Sequence, residues 1–112
     1  MNGLAISKLP KKLRKSYTGF IPEYSIEIGS SIVLIDKTNL SVELKETHAF
    51  VQFGGTKYNL KIKNLRKEKS TYYFDFDMPK DTNIGTLEMA LDKKLQTITV
   101  KGPGVVPDSE LK

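Results

Sequence analysis

From position 16 onward the chain alternates apolar and polar residues with a period of two, the pattern of half-buried β-strands rather than of helices. The clearest stretch is residues 71–78. Tyr72, Phe74, Phe76 and Met78 fall on one parity, and Tyr73, Asp75 and Asp77 on the other. One aromatic face therefore turns inward and one polar face turns to water.

The same reading extends along the chain. Residues 17–21 and 24–28 are strand-like on either side of Pro22, which a strand tolerates only at an edge, an end or a bend. They read as one long first strand, kinked there. Gly29-Ser30 turns the chain into residues 31–35, and a two-residue loop pairs Ile26 with Val33 and Tyr24 with Ile35. That register leaves Ile32 and Leu34 on the opposite face, where something should cover them. The N-terminal apolar residues are the nearest candidate, and a subunit interface is the alternative.

Residues 36–39 are a turn by composition, and Leu40, Val42 and Leu44 mark the next strand. Residues 48–53 then meet Gly54-Gly55, a two-residue hairpin signal. It sets Val51 opposite Tyr58 and Ala49 opposite Leu60, and turns His48, Phe50, Asn59 and Lys61 outward. The strand over 56–63 leads through the charged tip 66–69 into the aromatic strand. Ile62 is then expected opposite Tyr72 or Phe74, which lines Lys57, Lys61 and Lys63 up with Tyr73, Asp75 and Asp77. Pro79 ends the aromatic strand, and residues 80–83 form a loop. Leu87, Met89 and Leu91 then alternate, with a reversal near Lys93-Lys94 pairing Met89 with Ile98 and Leu87 with Val100. Gly102-Pro103-Gly104 breaks the sheet, and the rest reads as a tail docked through Val105, Val106 and Leu111.

Counting the kinked first segment once gives eight short strands joined by hairpin-length loops. The expected fold is all-β, an antiparallel up-and-down meander forming a small closed or partly open barrel. Residues 1–15 form a basic arm with a short helical turn at Pro10, residues 16–101 the barrel, and residues 102–112 the tail. The arm is either a plug, burying Leu4, Ile6, Leu9 and Leu13, or a basic extension for an anionic partner.

Composition changes this picture little. The chain has 112 residues, 38% hydrophobic and 28% charged, as expected for one domain with one modest core. No apolar run approaches the ~20 residues of a membrane span. The absence of cysteine removes disulfides and thiolate chemistry, and suits a cytosolic chain or a mature exported bacterial one equally. The first six residues show no signal-peptide pattern. The net charge of +5 divides into basic blocks at 1–15 and 57–69 and acidic ones at 16–56 and 70–92, a mixed surface rather than a continuous basic groove.

Candidate chemistry is sparse. His48 is the single histidine, with no local serine or threonine arrangement to make it a catalytic base. Asp75 and Asp77 share a face but lack the further oxygen ligands of a calcium or magnesium site, and the facing lysines make them a charge ladder. Phe50 and Tyr73 beside Lys61 and Lys63 form the best exposed aromatic–basic cluster. The aspartates on the aromatic strand nevertheless disfavour nucleic acid.

The short N-terminal turn, Tyr17-Thr18-Gly19-Phe20 where lipocalins place a glycine followed by tryptophan, and the kinked first strand opening a meander together resemble the lipocalin-like small barrels. Uncharacterised secreted bacterial domains of this type are similar. The resemblance implies a non-enzymatic module without cofactor or metal, holding a small apolar ligand inside the barrel or at its mouth. Tyr58, Tyr72, Phe74, Phe76, Met78, Leu87 and Met89 would line that interior. The second expectation is a protein-interaction or inhibitor domain, acting through the face of His48, Phe50, Lys61 and Tyr73 or through the N-terminal arm.

Overall fold

The computed structural model describes residues 4–80, 85–102 and 108–112. The expected loop at 81–83, the break at Pro103-Gly104 and the docking of Val105 and Val106 lie outside those residues. The strands are β1 (Leu4–Ala5), β2 (Ser16–Ile21), β3 (Tyr24–Ile28), β4 (Ser31–Ile35), β5 (Thr38–Leu44), β6 (His48–Phe53), β7 (Thr56–Lys61), β8 (Lys63–Glu68), β9 (Thr71–Asp77), β10 (Thr86–Asp92), β11 (Thr97–Lys101) and β12 (Ser109–Leu111). A single 3-10 turn, Lys11–Leu13, follows Pro10.

Ten strands form one antiparallel sheet in the order β1-β8-β9-β10-β11-β12-β2-β5-β6-β7, and β3-β4 stand apart as a pair. The sheet curls nearly into a closed barrel. Strand β7 at one end of the order and β8, which β1 flanks at the other, are halves of one strand bent at Ile62, whose N–H still reaches the Thr47 carbonyl at 3.0 Å. Two registers explain the detached pair. Tyr24 pairs with Ile35, and Tyr17 with Val42, so one register runs through both. The segments β2–β3 and β4–β5 are therefore the two arms of a single long hairpin. Pro22 has no N–H to give, and the ladder lapses where it and Glu23 face Asp36 and Lys37. At about 3.4 Å per residue, an arm from Ser16 to Ile28 covers most of the 46 Å long dimension of the molecule.

The barrel thus has eight members, with a membership that departs from the sequence pattern. The kinked first strand is present, but residues 36–39 do not reverse the chain; they join β4 to β5 within one arm. The eighth strand comes from the expected tail. Ser109–Leu111 inserts between β11 and β2, pairing Ile98 with Leu111 and Leu111 with Gly19. Thr18 and Lys112 exchange backbone hydrogen bonds of 3.0 and 2.9 Å. A Cβ on Gly19 would collide with the Glu110 carbonyl oxygen and come within 2.9 Å of Leu111 Cδ2. Glycine is therefore the residue that lets β12 close against β2.

Two further registers shift. Met89 pairs with Val100 and Leu91 with Ile98, two residues from the expected pairing, because the reversal takes four residues. The Asp92 carboxylate accepts the Lys94 and Leu95 N–H groups at 2.8 and 3.1 Å, and Gln96 adopts φ 53°. Between β8 and β9 a bulge falls between Lys63 and Arg66, with Asn64 at φ 54°. The bulge lets Ile62 and Leu65, three apart, both point inward. Lys63 faces Asp75, so Ile62 lies beyond Phe74 rather than opposite it or Tyr72.

The core runs through the barrel. Phe74 and Phe76 meet edge to face at 5.5 Å, with Leu87, Leu91, Ile98 and Leu111 buried around them. Leu9 and Leu13 are buried too, while Lys8, Lys11 and Lys12 are exposed, so the arm takes the plug arrangement. The Tyr17 hydroxyl donates to the Leu13 carbonyl at 3.2 Å, and burial pushes its phenol above the usual range.

If β12 belongs to the cooperative barrel, Gly19→Ala should destabilise by about 1–3 kcal/mol through overpacking. Leu111→Ala should cost about 2–5 kcal/mol through the cavity it leaves. Urea denaturation measures both, and unchanged midpoints would place β12 outside the cooperative unit.

Candidate functional site

The long hairpin changes character where it leaves the barrel. Its proximal half, β2 and β5, is locked between β12 and β6 and buries Tyr17, Ile21, Leu40, Val42 and Leu44. Its distal half, β3 and β4, is held at the tip by Gly29 at φ 63° in the expected register. Among the described residues β3 and β4 pair only with each other. Both outer edges therefore present unpaired backbone N–H and C=O groups.

The side chains of this segment are those of a core strand without a core. Tyr24, Ile26, Ile28, Val33 and Ile35 share one face, and Ile32 and Leu34 flank Ser25 and Glu27 on the other. Ile32 is 72% exposed, Leu34 64% and Ile28 60%. Leu9 and Leu13, the N-terminal residues expected to cover them, are committed to the barrel. At the base of the overhang, Lys37 Nζ lies 4.2 Å above the ring of the exposed Phe20, and the Thr38 hydroxyl donates to the Asp36 carbonyl at 3.1 Å. Pattern reasoning flagged Ile32 and Leu34 as needing cover. It missed Phe20, and it missed that the pair stands outside the barrel. The consecutive apolar run 32–35 after a proline kink was the available signal.

The residues expected to line a cavity are placed inside the barrel. Phe74, Phe76, Leu87 and Met89 are buried, Tyr72 and Met78 nearly so, and Tyr58 is half-buried against the same core. Two concavities open on the outer face of the sheet. One, of about 410 Å³, is lined by Thr18, Phe20, Asn39, Ser41 and Gln52. The other, of about 390 Å³, is lined by Arg66, Tyr73, Asp75, Glu88 and Thr99.

The expected outward cluster divides in two. His48 meets Phe50 edge to face at 5.8 Å, Lys57 Nζ lies 5.6 Å from the Phe50 ring, and Lys61 pairs with His48. Tyr73 sits across the bent strand, with the Arg66 guanidinium 5.4 Å from its ring and Ala90 beside it. The lysine ladder also shortens to one member. Lys57 and Lys61 face β6, and only Lys63 reaches the aspartates, bonding Asp77. Asn64 donates to Asp75 at 2.8 Å. Hydrogen bonds from Lys63 and then from Thr86 hold the Asp77 carboxyl below the usual aspartate range. Among the described residues no cluster of three His, Asp or Glu side chains is placed to hold a metal ion, and no helix is long and apolar enough to cross a membrane.

No family model, no curated protein and no solved structure matches this chain.

Two outcomes follow from this geometry. Because Ile32 and Leu34 touch so little, Ile32→Ser and Leu34→Ser should each change stability by no more than about 0.5 kcal/mol; a loss of 2 kcal/mol or more in urea denaturation, roughly the worth of a buried side chain, would mean that they are covered. For Asp77, a folded pKa below the unfolded one means that its contribution is present above the ordinary aspartate value and is lost as pH falls through the depressed one. Lys63→Met should move its carboxyl titration up toward the ordinary value, as followed by NMR. An unmoved titration would remove Lys63 as the cause.

Proposed function

We propose that this protein is a non-enzymatic binding module that engages another protein, with the barrel as a rigid base and the β3–β4 hairpin as the contact element. The observation that carries this reading is an apolar hairpin, exposed on both faces and open at both edges, projecting from a barrel whose inward side chains are buried. Exposed apolar residues scattered singly are ordinary, but a contiguous group marks a contact surface. An isolated two-stranded hairpin is marginal in water. Here its base is fixed by the barrel, so a partner finds the tip already ordered and less entropy is lost on binding. The Phe50 and Tyr73 surfaces support this role less well, because each ring already carries a cation of the same chain.

The test uses the full chain as bait in extract of its source cells. The comparison is with an Ile32→Asp, Leu34→Asp variant and with a Phe50→Ala, Tyr73→Ala variant. A partner recovered by the wild type and the second variant but lost from the first is the expected result. Equal recovery from all three would remove the hairpin as the contact element. A small apolar molecule co-purifying in native mass spectrometry, released only on unfolding, would favour the barrel interior instead.

A further inference from the structure

We infer that the occupant of the hairpin is a segment of a different protein: an extended strand that adds to its open edge, apolar on the side facing the hairpin and flanked by lysine or arginine. This rests on the reading of the hairpin as the contact element, and three observations narrow the partner.

The first is charge. Residues 22–36 carry Glu23, Glu27 and Asp36, and all 18 lysines and arginines of the chain lie outside them. The hairpin is an acidic, apolar projection from a chain of net charge +5. Complementarity calls for a basic rim on whatever encloses it, and like charges would penalise an acidic one.

The second is the shortage of apolar surface elsewhere on the molecule. Among the described residues, the exposed large hydrophobics outside the hairpin are Phe20 and Leu95 alone. Among the described residues, the body of a second copy therefore offers only those two isolated side chains and no contiguous apolar receiving surface. Two hairpins meeting through the Ile32–Leu34 face, which carries Glu27, would bring their acids together. Each would also contribute a footprint of only about 17 by 10 Å, well short of the ~1,200 Å² of total burial typical of stable interfaces. A partner strand that lies along an edge adds main-chain hydrogen bonds to its side-chain contacts, so its binding does not rest on face area alone.

The third is the open backbone. Both hairpin edges carry unpaired N–H and C=O groups, which hydrocarbon cannot satisfy. With the acidic charge, this disfavours burial in a bilayer with anionic lipids. A protein strand satisfies the same groups by joining the sheet, and alternate side chains then reach Ile32 and Leu34 or Ile26 and Val33.

The experiment titrates the full-length protein into three fluorescent ten-residue peptides: alternating valine and lysine, alternating valine and glutamate, and the valine–lysine peptide N-methylated along both edges. Anisotropy should show binding of the first peptide only. Glu23→Lys with Glu27→Lys should weaken that binding by about tenfold or more, as expected for lost charge pairs, and Ile32→Asp with Leu34→Asp should abolish it. Equal affinity for the lysine and glutamate peptides, equal affinity for the N-methylated peptide, or no binding of the first would each overturn the inference. So would a dimer in sedimentation equilibrium that Ile32→Asp dissolves, or co-sedimentation with phosphatidylcholine–phosphatidylserine vesicles. The two readings fail separately. If Ile32→Asp with Leu34→Asp abolishes partner recovery while the charge variants leave peptide affinity unchanged, the hairpin remains the contact element and the basic strand is wrong. If recovery survives the aspartate variant, the hairpin itself is wrong.

Discussion

The approach of β12 to Gly19 is the constraint on which the barrel depends. Without the last strand, β11 and β2 would each carry an open edge, and edges are the standing liability of antiparallel sheets. Four residues close that gap. Leu111 supplies the buried side chain, Thr18 and Lys112 supply the paired backbone bonds, and Gly19 supplies the room. Closure also fixes β2 on both sides, and β2 is the base from which the long hairpin departs. The rigidity of the distal hairpin is therefore inherited from a contact at the far end of the chain.

What the sequence made legible was local. The alternation of residues 71–78 gave the inward face of β9, and the Gly29-Ser30 and Gly54-Gly55 turns gave two hairpin registers residue for residue. Each is set by neighbours a few positions apart, where side-chain parity and turn chemistry leave little freedom. The features that escaped were non-local or broke parity. Strand β12 is too short to alternate visibly, and its partners lie at residues 98–100 and 19. The bulge at Asn64 depends on a left-handed residue that is not glycine. The four-residue turn after Asp92 moved a pairing by two, which keeps every face and so leaves no trace in the pattern. The candidate site was half-visible for the same reason. The pattern showed that Ile32 and Leu34 needed cover. It did not show that the chain would leave them without any.

That exposure sits oddly with the rest of the molecule. The barrel removes its edges by closure, its aspartates are bonded by Lys63, Asn64 and Thr86, and its aromatics are buried or stacked under cations. Among the described residues the distal hairpin is the most extended break in the consistency between local pattern and environment, and such breaks concentrate where a protein does its work. Glu27 on β3 and the tip residues Gly29 and Ser30 give it modest protection against indiscriminate pairing.

The charge distribution gives the exposed element a direction. Every basic side chain belongs to the barrel or to the segments around it, and the overhang is acidic. At physiological ionic strength the field of a charge reaches about 8 Å before screening dominates. A basic strand approaching the tip therefore meets the acids of the overhang first and the repulsive barrel hardly at all. One approaching the barrel wall meets acids and bases intermixed and, among the described residues, little exposed apolar surface. Projecting the hairpin beyond the barrel is thus an electrostatic device as well as a steric one. On the proposed reading, the separation keeps an acidic hairpin accessible to a basic strand on a chain of net positive charge.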